Sequence, residues 1–115
     1  MENPKVEYKC ITGNIGDVAT PLTKSISSFC THYSEVKVGI TGRKPQYRFN
    51  EHLLDYNWER MVVKYATTSK KNANRLEKFF IATKPNLVNK WTGESDLAEK
   101  GKKYLYVLLK GKKQN

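Results

Sequence analysis

The chain has 115 residues, enough for one modest hydrophobic core and too few for two. Its 21 Lys and Arg against 11 Asp and Glu give a formal net charge of +10, which attracts phosphodiester backbones by a salt-dependent, largely sequence-independent force. No apolar run nears the length of a membrane span, and neither Cys10 nor Cys30 sits in a CxxC pair, which argues against a spanning helix and a zinc site. The two unpaired-looking cysteines, with no signal-like run at the start, point to an intracellular protein (cytoplasmic or nuclear) with reduced thiols. A lysine-rich surface that serves only solubility accounts for the charge as well as nucleic-acid binding does.

In chain order, residues 1–16 read as an N-terminal extension in which Val6, Tyr8 and Cys10 alternate like a short strand before a glycine-containing loop. Thr20 reads as an N-cap before Pro21, and Leu22, Ile26, Phe29, Cys30 and Tyr33 recur at helical spacing. His32, at the end of that pattern, reads as a surface histidine rather than a ligand. Val36, Val38 and Ile40 then alternate with Lys37 and Gly39, so a strand is expected to bury one face and present Lys37 and Gly39 on the other. Gly39 leaves that second face open for a ligand to approach the backbone.

Gly42 turns the chain and Pro45 opens a helix whose buried stripe is Phe49 and Leu53. Arg48 and His52, four residues apart, project one turn apart from the edge of that stripe and can converge on a single atom. Met61 to Thr67 is β-branched and aromatic and reads as the second strand. Ser69 caps a helix with Ala73, Leu76, Phe79, Phe80 and Thr83 on its apolar side and Glu77 beside it. Pro85 ends that helix, and Asn86 to Gly93 form an irregular connection before a helical turn at Asp96 to Lys100. The run Tyr104 to Leu109 is apolar on both faces and belongs inside a sheet, with residues 111–115 a loose basic tail. The fold class expected is α+β: one domain, residues 1–115, with a small, mostly antiparallel three-stranded sheet flanked by helices.

Periodicity thus places Lys37, Arg48, His52, Glu77 and Asn89 beside the sheet, a set suited to phosphodiester hydrolysis. A divalent cation on Glu77 would polarise the phosphate and Arg48 would offset transition-state charge. The single carboxylate argues against a two-metal site. The motifs VGIT and RFNEH, the run ANRLEKFFI and the run NLVNKWTG, in that order, resemble the GIY-YIG nuclease family over about two thirds of the chain. The resemblance implies that Arg48 is the catalytic arginine, His52 the trailing histidine and Glu77 the metal-binding glutamate. It also implies an asparagine contact from Asn89, with Asn86 in reserve, and Mg²⁺ or Mn²⁺ as cofactor.

Two departures accompany the resemblance. Lys37 stands where the tyrosine of the second motif is expected, as in some restriction-enzyme members, and would handle a proton if its pKa were lowered or else bind phosphate. No first-motif strand precedes VKVGIT. The run KYLYVLL looks like that strand, which implies a circularly rearranged chain with Tyr106 as general base and Tyr104 as the alternative. Arg43, Lys44, Lys90, Lys102 and Lys103, with Asn89, are the expected nucleic-acid contacts, and Trp58 and Trp91 the expected stacking aromatics. The expected partner is DNA, with RNA also allowed, and a homodimer or targeting partner supplies further selectivity. The competing expectations are a non-catalytic nucleic-acid-binding domain on the same scaffold and a small basic protein-interaction domain.

Overall fold

The computed structural model describes residues 4–88 and 97–113, in the order β1 (Lys5–Ile11), α1 (Ile15–His32), β2 (Tyr33–Thr41), α2 (Pro45–Asp55), β3 (Arg60–Thr67), α3 (Lys70–Thr83) and β4 (Lys103–Lys112). The strands form one mixed sheet in the order β1-β3-β4-β2, with β1 parallel to β3 and β4 antiparallel to both its neighbours. The sheet therefore has four strands rather than the three expected. The fourth is the N-terminal segment, which is a sheet edge and not an extension. Its polar, mostly exposed side chains suit an edge position and gave only a faint alternation.

β4 lies in the centre because both its faces are apolar. Leu105, Val107 and Leu109 point to one side, and Tyr106 and Leu108 to the other, all at most 2% exposed. α1 and α3 cover the first side, packing Leu22, Ile26, Ala73, Leu76 and Phe80 against Val36, Val38, Val62 and Val107. Burying each such aliphatic or aromatic side chain contributes roughly 1.5–3 kcal/mol before chain entropy is subtracted. α2 alone covers the other side, where Phe49 and Trp58 pack on Met61, Val63, Tyr106 and Leu108.

Helix boundaries follow local chemistry, with two corrections. The Ser69 hydroxyl accepts from Asn72 N at the start of α3, and Pro45 begins α2 at its first turn. α1, however, starts at Ile15, so Pro21 lies inside the helix, where its exposed position lets the missing N–H go without a buried partner being orphaned. Tyr33, which continues the helical spacing, is instead the first residue of β2 and is buried. At the other end, residues 97–101 form no helix, and Lys110 and Lys112 belong to β4 rather than to a loose tail. Lys113 N extends the order, donating to His32 O at 2.7 Å.

Candidate active site

β2 and β4 run antiparallel with Gly39 opposite Tyr106, so the strand VKVGIT does have the tyrosine-bearing C-terminal strand as its neighbour. The pairing sets the Tyr106 ring over Gly39. A Cβ at Gly39 would collide with Oη, Cζ and Cε1 of Tyr106, the last at 2.8 Å. The open face expected at Gly39 is thus filled by the phenol, and the glycine is required by that close approach rather than by a ligand.

α2 lies over the same face and delivers His52 to the phenol: Nε2 is 2.7 Å from Tyr106 Oη, with the rings edge-on at 63°. His52 is only 7% exposed, more enclosed than an edge position would make it. Burial, followed by the charges of Arg48 and Lys37, pushes its pKa down to about 4. The imidazole is therefore neutral at pH 7, and with its proton on Nδ1 the Tyr106 hydroxyl donates to Nε2. Burial likewise pushes the Tyr106 phenol up to about 12, while the Arg48 charge and hydrogen bonding oppose that rise and the Glu77 charge adds to it. Tyr106, His52 and Arg48 form one cluster, with Glu77 on α3 within electrostatic reach.

The remaining expected residues divide clearly. Lys37 lies close enough to His52 for its charge to act on the imidazole. Arg48 donates from Nη1 to Glu51 Oε1 at 3.0 Å, and Arg43 pairs with the same carboxylate oxygen, so Glu51 ties both arginines to α2. Glu51 was missed by the sequence reading, although its spacing three residues after Arg48 is a recognised helical pairing distance. Lys44 lies over the Tyr47 ring, 5.9 Å from its centroid, and Lys102 is exposed. Both remain available to an anionic surface.

Lys103 is different. It is fully buried, and its ammonium donates to the carbonyls of Thr68, Glu99 and Gly101 at 3.3, 3.1 and 2.8 Å. Its three donors are spent on backbone, so it is an internal brace for the start of β4 and not a phosphate contact. Tyr104 packs beside the α2 core and, among the described residues, has no comparable partner to the His52 contact of Tyr106. Asn86 is exposed and lines a separate cavity with Ser27 and Cys30 of α1, away from the Tyr106 cluster. Trp58 is 5% exposed, too enclosed to stack on a base from the open surface. His32, as expected, sits on the surface, its Nδ1 2.8 Å from Ser28 O. Asn89, Lys90 and Trp91 lie outside the described residues.

Among the described residues, no group of three or more His, Cys, Asp or Glu side chains is gathered to hold a metal. Glu77 is thus a single-carboxylate candidate. Mg²⁺ keeps several waters and is commonly held by one or two carboxylates together with substrate phosphate. No helix among the described residues is long and apolar enough to cross a membrane. Comparison with protein-family models, curated proteins and solved structures gives no match for this chain.

Proposed function

We propose that the protein is a DNA endonuclease or nickase that hydrolyses phosphodiester bonds, built as a rearranged GIY-YIG-like domain in which β4 supplies the first-motif strand. The observation that carries this reading is the convergence of Tyr106, His52 and Arg48 from a strand and a helix remote in sequence onto one point above Gly39. Tyr106, as phenolate, takes the proton of the attacking water, and neutral His52, in hydrogen-bond contact with it, donates from Nε2 to the phenolate oxygen. Arg48 offsets the negative charge on phenolate and phosphate together. Lys37 supplies further positive charge on the same side of α2. Glu77 would hold one Mg²⁺ or Mn²⁺, which when bound supplies Lewis-acid polarisation of the phosphate.

The formal charge of +10 supports equally a second reading, a non-catalytic nucleic-acid-binding domain. Incubating supercoiled plasmid with the protein in Mg²⁺ or Mn²⁺ separates the two. Nicking or linearisation that disappears in Arg48→Ala and Glu77→Ala is the expected result. Salt-sensitive binding with no cutting in either metal overturns the nuclease and leaves the binding domain.

A further inference from the structure

Against the Tyr106 cluster lies a cavity of about 360 Å³. One wall is His52 and Lys37, which belong to the candidate active site, and the others include Tyr56, Trp58, Glu35 and Asp55. Its volume lies at the lower end of small-molecule sites, about 300–1,000 Å³, and suffices for a flat heterocycle. Tyr56 and Trp58 meet edge-on at 5.1 Å between centroids. The Tyr56 hydroxyl donates to the Glu35 carboxylate, whose oxygens lie 2.7 and 2.8 Å away, which fixes the ring across the cavity. Asp55 forms no ion pair or side-chain hydrogen bond with another described residue.

Two carboxylates at this place are informative because the molecule is otherwise strongly cationic. Lys37 on the near wall brings one positive charge and Glu35 and Asp55 oppose it, so the cavity attracts a phosphate backbone less than the Arg48 cluster does. The carboxylates are acceptors only, suited to the amino groups of cytosine, adenine or guanine, and carboxylate acceptance from cytosine N4 is a recurrent base contact. Tyr56, 39% exposed, is the aromatic at the rim that complements the flat face of the same ring, with the enclosed Trp58 only backing it edge-on.

We infer that this cavity receives one unpaired, amino-bearing nucleobase from the strand whose phosphate lies at Tyr106, His52 and Arg48. The inference rests on the nucleic-acid reading above and narrows the substrate to DNA with an extrahelical or single-stranded nucleotide beside the cut. A base already unpaired enters without the unstacking and unpairing cost that a fully paired one carries.

The test is binding, followed by fluorescence anisotropy without divalent metal so that cleavage plays no part. Labelled duplexes of one sequence are compared: fully paired, with one extra unpaired cytosine, and with an abasic residue or a thymine in place of that cytosine. The cytosine bulge is expected to bind about tenfold tighter than the paired duplex, in line with the contribution of a single base–aromatic contact. The abasic bulge, equally flexible but lacking the base, loses most of that gain, as does an unpaired thymine, which has no amino group. Tyr56→Ala abolishes the cytosine preference while leaving the paired duplex bound as before, its fold checked by thermal melting. Equal binding of the cytosine and abasic bulges overturns the inference and leaves the nuclease reading intact. No binding to any of the duplexes overturns both.

Discussion

The two faces of the sheet are built to different ends. Under α1 and α3 the core is mostly apolar, with Val36, Val38, Val62, Leu105, Val107 and Leu109 meeting Leu22, Ile26, Leu76 and Phe80, and its tyrosine hydroxyls are partnered: Tyr65 donates to Gly13 O at 2.6 Å and Tyr33 accepts from Arg60. Under α2 the core is smaller, and a buried histidine and a buried tyrosine stand where further aliphatic residues would pack. Replacing such a hydrogen-bonded pair with well-packed apolar side chains is often neutral or favourable for stability. The first face accounts for the fold, and the second keeps a polar pair for which folding alone gives no need.

The strongest way to break that contrast is Tyr106→Phe, which keeps the ring in the α2 core and removes only Oη. On the proposed mechanism, cleavage per folded molecule in a single-turnover plasmid assay is expected to fall about 10²- to 10⁴-fold, the range for a lost general base, while the buried His52 Nε2 left without its partner costs about 1–3 kcal/mol of stability. A large loss of stability with cleavage retained would make the pair structural. Phe80→Ala on the opposite face is expected to behave in reverse, costing about 3–5 kcal/mol by chemical denaturation with cleavage per folded molecule unchanged. Gly39→Ala bridges the two effects, because the added methyl meets the Tyr106 ring. It is expected to cost about 1–3 kcal/mol through overpacking and to lower cleavage, whereas Gly42→Ala, whose added carbon would meet only Leu97 at 3.8 Å, serves as the tolerant control.

The smallest effect concerns pH. The His52 pKa in the folded protein is about 4, against an ordinary value of 6.5, so between those values the unfolded chain binds a proton that the folded one does not. Stability from this group is fully present above about pH 6.5 and is lost as pH falls toward 4, with a slope bounded by about 1.4 kcal/mol per pH unit. Urea titrations at pH 7 and pH 5 should show the loss, and His52→Gln should reduce it.

Much of this was legible in the residues themselves. YLYVLL could only be an inner strand because no choice of face leaves it polar, and the spacing of Arg48 and His52 gave their common direction on α2. The expected pairing of VKVGIT with KYLYVLL is present, and the register sets Gly39 opposite Tyr106. What sequence could not give was depth. His52 sits deeper than Leu53, which is only half-buried, because its ring is drawn in to the Tyr106 hydroxyl. Lys103 read as one more surface cation because nothing local marks the three carbonyls that gather around its ammonium; two of them come from the loop before it and one from the end of β3's turn. The polar β1 was faint because its partner β3 lies dozens of residues away and supplies the apolar side of the pair.

The sheet order has a consequence for the growing chain. β2 and β3 are never neighbours; each finds its partner in β4, which is made after both. A ribosome that has not yet released residues 103–112 therefore carries two apolar strands with no common ladder to join. The β1–β3 pair can form first, but the sheet closes only when β4 is made, and its dominant contacts span long loops, the arrangement that slows folding most. Until β4 arrives, β2 and β3 each lack the antiparallel neighbour that joins them into one sheet.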